Sequence, residues 1–476
     1  MIAIYAIGFT ILLLIWYLIH VNNGFYQVPG EVRELAAPEW TEVEIRKTYQ
    51  NVCENPIDFT PHLPPALKRR YVIVGGSGLV GGNIALHLLA RGQTPESIRI
   101  IDFRKPVRSD LLQREAPEVE FVSADITSFD SVDAAFQRPW APNVASLPLT
   151  VFHTAALIRP GERVKSLLYR VWSVNVDGTK NVMAVAKRVG ADVFIATSSG
   201  SISIRPVNYW IPPWKKTADN NLQIYKDPDK DQTIRPHGNY FCNYSESKAH
   251  AEDLVLKAND GSFQTGTIRP ACGIYGSKND VVIGFLLTRK SVETWIAHCM
   301  QSSVHVGHVS LAHLLYERAL VHPPSSLKGT SVGGRPFTIT DPNPPPFAGS
   351  VYRLISVLTG ARVTHLPPVL IFVMAHVMEL YVLFVFYFPK VAKLCGLKEP
   401  QGLTANLQPA ILTTCGAQQF ATSTQIEKSV EDGGLGFRGV CTTLEGMCDQ
   451  VRRFKEAEGL EALGRNGAAL AVPMKK

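Results

Sequence analysis

The stretch YVIVGGSGLVGGNIALHLLARG (71–92) decides the fold of this 476-residue chain. It begins with a β-branched run, continues with the glycine pattern Gly75, Gly78 and Gly81, and ends in a helical pattern of apolar residues. Glycines let the backbone approach a pyrophosphate, and the unpaired N–H groups at the following helix N-terminus favour an anion. A simple tight turn is the alternative, but the strand–turn–helix context favours the first βα unit of a dinucleotide-binding sheet.

Five further short runs alternate with helical patterns after this first one. Such alternation predicts an α/β fold, a Rossmann-type doubly wound parallel sheet with a smaller C-terminal substrate-binding region. The runs are SIRIID (97–102), VEFVSAD (119–125), LTVFHTAA (149–156), ADVFIATSS (191–199) and TGTIRPACGIYG (265–276).

Acidic residues that end two of these runs indicate which dinucleotide binds. Asp102 lies 21 residues after the last glycine of the pattern, where a carboxylate accepts hydrogen bonds from the adenosine ribose and repels a 2′-phosphate. NAD is therefore predicted, and NADP is less favoured, although Arg104 and Lys105 could hold a phosphate. Asp125, with Ile126 beside it, is predicted to contact adenine, and a strand-end cap is the alternative for Asp125.

Tyr244 and Lys248 stand four residues apart at the start of a helical pattern, SESKAHAEDLVLKAN (245–259). This spacing puts both side chains on one helix face. An ammonium beside a phenol lowers the tyrosine pKa from about 10, so that the phenol exchanges a proton near neutral pH. Ser198 or Ser199 ends the fifth run at the carboxyl edge of the sheet, where a hydroxyl can hold a substrate oxygen.

The chain contains the glycine turn, the acidic strand end, the serine and the Tyr-x-x-x-Lys motif in this order. With this order of motifs it resembles the extended short-chain dehydrogenase/reductases and, more narrowly, the 3β-hydroxysteroid dehydrogenase/isomerase family. The resemblance places the catalytic serine on Ser199, the tyrosine on Tyr244, the lysine on Lys248 and a nicotinamide contact on Pro270. Asn175 matches a recurrent asparagine that is structural as often as catalytic. The supporting stretches are VFHTAALIRP (151–160), VNVDGTKNV (174–182), ATSS (196–199), YSESK (244–248), IRPACGIYG (268–276), VHVGHVSLAHLL (304–315) and GRPFTITD (334–341).

The resemblance implies oxidation of a 3β-hydroxyl on a sterol-like ring. In the family the tyrosine takes the proton while hydride goes to the nicotinamide, the lysine lowers the tyrosine pKa and binds the ribose, and the serine steadies the substrate oxygen. Decarboxylating members oxidise sterol 4-carboxylates to β-keto acids, which lose carbon dioxide without a metal; this class is favoured, and no metal is expected.

Alternatives remain at the sequence level. One is a dehydrogenase that also shifts a double bond, and another is a terpenoid ketone reductase. A membrane-bound nucleotide-binding scaffold without turnover is the alternative of another class, but the serine, tyrosine and lysine are all present.

Two departures from the family pattern concern the substrate side. Ser199 and Tyr244 are 45 residues apart, so the segment from Arg205 to Asn243 is expected to form an enlarged loop over the substrate pocket. His308 stands where the family usually has an asparagine, and a packing or capping role is expected for it.

Two apolar segments predict contact with a bilayer. Residues 2–19 precede the first charged residue, Glu31, and are long enough to cross about 30 Å of hydrocarbon, without the basic region of a signal peptide. Residues 366–388 contain His376 and Glu379. A helix lying in one leaflet is favoured for this second segment, because a crossing would separate the C-terminal residues from their domain.

The expected setting is the endoplasmic reticulum membrane with the catalytic domain in the cytosol. The sole N-x-S/T sequon begins at Asn243 and overlaps the catalytic tyrosine, and the eight cysteines show no CxxC pattern. The expected partners are a lipophilic sterol-like molecule and the bilayer. A net charge of +7 without a block of like charges argues against nucleic acid, and a homodimer is compatible with the sequence.

The hydrophobic share of 46% with only 19% charged residues agrees with apolar segments beyond a normal core. The expected organisation has five parts. They are an anchor over 1–24, a proline-rich tether over 25–68, an NAD-binding domain with Tyr-x-x-x-Lys over 69–280, a substrate-binding region over 281–455, and a flexible tail over 456–476.

Overall fold

The computed structural model of the protein describes residues 1–113, 116–225, 234–278, 280–324 and 331–470. The strands are β1 (Arg70–Val74), β2 (Ile98–Asp102), β3 (Glu120–Ser123), β4 (Leu149–His153), β5 (Ala191–Thr197), β6 (Leu222–Tyr225), β7 (Gln264–Pro270), β8 (Ile274–Tyr275), β9 (Ser291–Thr294), β10 (Val304–His305), β11 (Pro336–Ile339), β12 (Arg362–His365) and β13 (Gln418–Ala421). The α-helices are α1 (Ile2–Phe25), α2 (Gly30–Leu35), α3 (Glu42–Glu54), α4 (Leu79–Ala90), α5 (Phe129–Phe136), α6 (Tyr169–Trp172), α7 (Gly178–Arg188), α8 (Asn243–Lys257), α9 (Val306–Val321), α10 (Ala348–Thr359), α11 (Pro368–Tyr387), α12 (Pro389–Leu394), α13 (Ala410–Gly416) and α14 (Thr443–Leu470).

The central sheet has seven strands in the order β11-β7-β5-β4-β1-β2-β3, and neighbouring strands are parallel. The order reverses between β1 and β4, where the carboxyl ends of doubly wound sheets leave a crevice for ligands. The predicted doubly wound sheet is therefore confirmed. The seventh strand, β11, comes from the GRPFTITD stretch, which sequence reasoning had not assigned to a strand.

Helices cover both faces of this sheet because side chains of each strand alternate between the faces. On β1, Tyr71 and Ile73 pack into one apolar cluster with residues of α4 and α9. Val72 and Val74 pack into the other cluster with residues of α5 and α7. The two layers leave the carboxyl edge of the sheet to the loops that carry the predicted site.

The segment expected to be a tether is folded against the rest of the chain. Helix α3 begins with a capping box formed by Thr41 and Glu44, which satisfies its first backbone N–H groups. It buries Ile45 and Val52 in a cluster with residues of α10 and α14. Helix α14 continues to Leu470, within the segment expected to be a flexible tail, and the flexibility of that segment stays a prediction. Residues 471–476 lie outside the described part of the chain.

Helices α1 and α11 are long and apolar enough to cross a membrane by length and composition alone. The most apolar 18-residue window of α1 is 0% buried, while its last turns bury Val21 and Phe25 in a cluster with Ile371 and Phe372 of α11. The C-terminal end of α1 therefore packs against the N-terminal part of α11.

The long segment between Arg205 and Asn243 contributes to the same cluster. Val207, Tyr209 and Ile211 are buried there, and the Tyr209 ring stacks on Phe25 at a centroid distance of 4.0 Å. Its strand β6 pairs with β13. The first part of the expected pocket loop thus packs against the C-terminal end of α1 and the N-terminal part of α11. Residues 226–233 of this segment lie outside the described residues.

Candidate active site

The glycine turn after β1 is packed backbone against backbone. Gly75 has a φ of +85°, and a Cβ added to it would lie 2.5 Å from the Ala155 nitrogen after β4. A Cβ added to Gly81 would lie 2.5 Å from the Gly75 oxygen. Helix α4 then begins at Leu79 after Gly78, without a side-chain cap or an acidic residue in its first turn. Its N-terminal N–H groups therefore remain available to an anion, as the sequence predicted.

Two residues that sequence reasoning missed hold this turn. Thr154, directly after β4, donates its hydroxyl to the carbonyl oxygens of Val74 (3.0 Å) and Gly75 (3.2 Å). Arg108 donates Nη1 to the oxygens of Gly78 (3.1 Å) and Leu79 (2.9 Å). The position of Thr154 immediately after a buried strand could have indicated its role from the sequence. No sequence pattern around Arg108 indicates its contact with the turn.

Asp102 ends β2 beside the glycine turn, where the sequence predicts a carboxylate that binds the adenosine ribose. Its Oδ2 accepts a hydrogen bond from the Ser77 backbone nitrogen at 3.1 Å. Its Oδ1 accepts one from the Arg104 backbone nitrogen at 3.2 Å. The carboxylate is thus held at the turn that the dinucleotide would contact. A role in binding the ribose stays a prediction.

Asp125 and Ile126 have structural roles at the end of β3. The Asp125 Oδ1 accepts hydrogen bonds from the backbone nitrogen and hydroxyl of Thr127 at 2.9 and 2.8 Å, which is the strand-end cap that the sequence allowed. The Ile126 side chain is buried in the cluster that contains Val132 and Val182. Adenine contact by this pair stays a prediction.

Lys248 lies one turn after Tyr244 on α8 and donates its Nζ to the Thr197 carbonyl oxygen at the end of β5, at 2.6 Å. The lysine is 7% exposed. Burial lowers the pKa of Lys248 to about 8, and the charge of Glu252 opposes this shift. The ammonium therefore stays mostly charged at neutral pH inside a buried site.

The environment of Tyr244 differs from the expectation in one respect. Burial raises the pKa of Tyr244 above its ordinary value, and a hydrogen bond with the Ser199 side chain opposes this only in part. The predicted lowering of the tyrosine pKa by Lys248 is therefore wrong, because Lys248 is bonded to Thr197 and the loss of water outweighs the other influences. Tyr244 keeps its proton at neutral pH, and Ser199 lies beside it as the motif match implied.

The Ser199 turn also lies next to Pro270 at the end of β7. The Ser198 nitrogen donates to the Ile268 oxygen at 2.7 Å, and a Cβ added to Gly200 would lie 2.9 Å from the Pro270 oxygen. Ser199 additionally accepts a hydrogen bond from the Ser201 nitrogen at 3.2 Å. The ends of β5 and β7 thus bring together two predicted residues, and the nicotinamide contact of Pro270 stays a prediction.

Asn175 connects the loop after β4 with α8, the helix that carries Tyr244 and Lys248. It lies in a π-helical turn, Ser173–Asp177, and is buried. Its Oδ1 accepts from the Leu157 nitrogen at 2.8 Å, and its Nδ2 donates to the Leu157 oxygen at 3.0 Å and to Ser247 Oγ at 2.9 Å. These bonds use both N–H donors and one acceptor site of the amide, which supports the structural alternative.

His313, on α9, fixes the strand end that holds Lys248, and sequence reasoning gave it no role. Its Nδ1 donates to the Val309 oxygen at 2.7 Å, so its Nε2 accepts the Thr197 hydroxyl at 2.8 Å. Burial lowers the pKa of His313 to about 4, which keeps the ring neutral.

His308 is a buried link between α9, β11 and the C-terminal region. Its Nδ1 donates to Asp341 Oδ1 at 2.8 Å, and its Nε2 accepts from the Val440 nitrogen at 2.8 Å. The expected packing or capping role is confirmed.

A cavity of about 830 Å³ lies between the loop after β4 and the segment after α12. Its wall is hydrogen-bonded to α8, because the backbone carbonyl oxygen of Glu162 accepts from the backbone nitrogen of Asn243 at 2.8 Å and Asn175 links Leu157 to Ser247. The size falls within the usual range for small-molecule sites. Its lining includes Leu157, Arg159, Glu162, Arg170, Glu399 and Asn406.

The polar side chains within α11 face the domain. Glu379 accepts from Arg163 Nε and Nη2, both at 2.8 Å, and His376 Nε2 accepts from Trp210 Nε1 at 3.2 Å. All eight cysteines are free. Within the described ranges no group of three or more His, Cys, Asp or Glu side chains could hold a metal ion.

The sequence matches the model of the 3-beta hydroxysteroid dehydrogenase/isomerase family over residues 72–362. The decarboxylating sterol-4-alpha-carboxylate 3-dehydrogenase of Saccharomyces cerevisiae is 29% identical over 282 residues, which are 57% of this chain and 71% of the relative. The corresponding enzyme of Homo sapiens is 27% identical over 307 residues, 63% of this chain and 69% of the relative.

Among solved structures, a dTDP-glucose 4,6-dehydratase from Streptomyces venezuelae with NAD bound has a TM-score of 0.53. It is 15% identical in sequence, and the likeness covers 82% of this chain and 98% of that one. At this identity the likeness concerns the fold.

Proposed function

The chain belongs to the 3-beta hydroxysteroid dehydrogenase/isomerase family, and on this premise we propose that it oxidises the 3β-hydroxyl of a sterol that carries a carboxylate on the adjacent carbon. It is an oxidoreductase of the short-chain dehydrogenase/reductase type acting on a CH–OH group. The observation that carries the proposed oxidation of a hydroxyl is the cluster of Tyr244, Ser199 and Lys248 where β5 meets α8.

The residues at the glycine turn fit NAD as the cofactor. The uncapped N-terminus of α4 suits the pyrophosphate, and the Asp102 carboxylate at the end of β2 suits an unphosphorylated ribose. Bound NAD would supply the hydride acceptor for the carbinol carbon. Asp125, Ile126 and Pro270 are proposed as further contacts of the adenine and nicotinamide ends.

The proton of the substrate hydroxyl is handled by this chain's own side chains. Oxidation needs the Tyr244 phenolate to accept that proton, and Ser199 holds the same oxygen through its hydroxyl. Burial favours the protonated phenol, so proton acceptance by Tyr244 requires a positive charge near the phenolate, and Lys248, which lies one turn away on α8 and is mostly charged at neutral pH, is the cation that this site offers. His313 and Thr197 keep Lys248 at that position.

Loss of carbon dioxide needs no further catalytic group in this scheme. Once the hydroxyl is a ketone, the carboxylate stands β to a carbonyl, and the electrons of the breaking C–C bond pass into the ketone oxygen as an enolate. The hydroxyl groups of Ser199 and Tyr244, which hold that oxygen, stabilise the developing negative charge. The relatives named for this decarboxylating reaction support the choice.

We further propose that the protein is held on the endoplasmic reticulum membrane by α1, with the catalytic domain in the cytosol. Helix α11 lies in one leaflet, because Glu379 and His376 are bonded to Arg163 and Trp210 of the catalytic region. A crossing would draw the ion pair of Glu379 into hydrocarbon, where charged groups are costly. A lipophilic substrate would then reach the domain from the bilayer.

The experiment that tests the function uses membranes containing the full-length protein, NAD and two 3β-hydroxysterols, one with a 4-carboxylate and one without. We expect NADH and carbon dioxide in equal amounts from the acid. NADH from the plain sterol alone, without carbon dioxide, would favour the dehydrogenase that shifts a double bond. No NADH from either sterol would reject oxidation of 3β-hydroxysterols.

A further inference from the structure

The cavity beside α8 contains two arginines that share two glutamates. Arg159 Nε donates to Glu162 Oε1 at 2.8 Å, and Arg170 Nη1 donates to the same oxygen at 2.9 Å. Arg159 Nη2 also donates to Glu399 Oε1 at 3.2 Å, and Arg170 Nη2 donates to Glu399 Oε2 at 3.3 Å. All four side chains line the cavity, so its polar wall carries no net charge.

The two glutamates are held very differently. Glu162 is 2% exposed, and its backbone is fixed to the start of α8 by the hydrogen bond from Asn243. It binds both arginines through one oxygen, while its buried Oε2 accepts no hydrogen bond within the described residues. Glu399 is 41% exposed. Glu162 is therefore a permanent counter-ion, and Glu399 is the one that can leave.

A carboxylate on a bound molecule could accept the same hydrogen bonds that Arg159 and Arg170 donate to Glu399. Guanidinium groups bind carboxylates through paired N–H donors, and each arginine has five of them. Exchange of Glu399 for a ligand carboxylate would leave the cluster with two positive and two negative groups. The exchange therefore avoids an uncompensated charge in the cavity, which would be costly.

Hydrogen bonds join the segment that carries Arg159 to α8, the helix that carries Tyr244. The loop that carries Arg159 is bonded to α8 on both sides of the Tyr244 turn. Asn243 Nδ2 donates to the Val164 oxygen at 2.9 Å, and Asn175 links Leu157 to Ser247. The cavity wall and the catalytic helix are thus parts of one bonded unit.

We propose that Arg159 and Arg170 bind the carboxylate of the substrate, and that Glu399 occupies this carboxylate position until the substrate displaces it. The inference rests on the proposed function and adds the residues that select a sterol acid over the plain sterol. Glu399 lies five residues after the end of α12, so its release would couple substrate entry to the segment that follows the apolar helix α11.

The test compares steady-state kinetics of full-length variants on a 3β-hydroxysterol 4-carboxylate and on the same sterol without the carboxylate. For Arg170→Gln we expect kcat/KM for the acid to fall by about 10- to 100-fold, the range of a lost charged hydrogen-bond pair, with less than about threefold change for the plain sterol. Arg452→Gln is the matched control, because Arg452 is 14% exposed and paired with two carboxylates on α14, against 15% for Arg170.

Glu399→Gln supplies a second and opposite readout. Removing the internal carboxylate should lower KM for the acid by about three- to tenfold and leave the plain sterol unchanged, a gain that a purely structural ion pair would not give. Equal losses on both sterols in Arg170→Gln, or a raised KM in Glu399→Gln, would overturn the inference alone. If the wild-type protein oxidises neither sterol, the proposed function fails and the inference falls with it.

Discussion

Replacing Lys248 with methionine should stabilise the folded protein and abolish its turnover. Burial lowers the pKa of Lys248 from 10.5 to about 8, so the folded state holds the charged amine at a cost. At about 1.36 kcal/mol per pH unit, this difference corresponds to about 3 kcal/mol at pH 7. Methionine fills similar space without a charge, although it gives up the hydrogen bond to the Thr197 oxygen, so we expect a net gain of about 1–3 kcal/mol.

The pH dependence identifies the origin of this gain. Because the folded-state pKa is the lower one, the unfolded chain binds more protons between pH 8 and 10.5, and this lysine makes the wild-type protein more stable as the pH rises through that window. The cost is fully present below the folded-state pKa and vanishes above the unfolded value. The advantage of the variant should therefore shrink by about 2 kcal/mol between pH 7 and 9.5.

The assay is urea unfolding of the detergent-solubilised full-length protein at both pH values, followed by circular dichroism. Lys257→Met is the control, since Lys257 lies on the same helix, is 74% exposed and pairs only with Asp253 among the described residues. It should change stability by less than about 0.5 kcal/mol at either pH. A Lys248→Met protein that is less stable than wild type at pH 7, or whose advantage is the same at both pH values, would refute the reasoning.

Three further substitutions address the remaining roles. Tyr244→Phe should reduce kcat by at least about 10³-fold and leave NAD affinity within about threefold, measured by NADH formation and cofactor titration; retention of most activity would exclude Tyr244 as the proton acceptor. Asp102→Ala should raise KM for NAD about tenfold and weaken discrimination against NADP, and an unchanged cofactor preference would contradict its ribose role. Asn175→Ala should lower the unfolding free energy by about 2–3 kcal/mol, because it removes the hydrogen bonds of a buried amide with the Leu157 backbone and with the buried Ser247 hydroxyl; a fully stable variant with lost activity would favour a catalytic role instead.

Much of the fold was predictable because it depends on patterns between near neighbours in the chain. Alternating β-branched and helical runs predicted six of the seven sheet strands, and the glycine spacing located the turn before α4. The strand β11 was missed because its four residues sit among prolines and glycines in a short stretch. Helix α3 was missed because prolines on both sides of it suggested an extended tether.

The candidate site was predictable in its members and not in its electrostatics. Motif order alone put Ser199, Tyr244 and Lys248 together, and the structure brings Ser199 beside the tyrosine. The direction of the Tyr244 pKa was wrong, because helix spacing describes the distance to Lys248 and says nothing of burial. Desolvation depends on every element packed around a group, and most of those elements are far away in sequence.

By itself, then, the sequence predicted the doubly wound sheet, the glycine turn after its first strand, the family, and the three side chains proposed for proton transfer. Each of these follows from residue spacing within one element or from the order of motifs. The tertiary structure alone decided that Lys248 is bonded to Thr197, that α3 packs against α14, and that Arg170 donates to both Glu162 and Glu399, the latter 229 residues further along the chain. The physical reason is that burial and charge pairing are set by atoms that meet only when distant segments fold together.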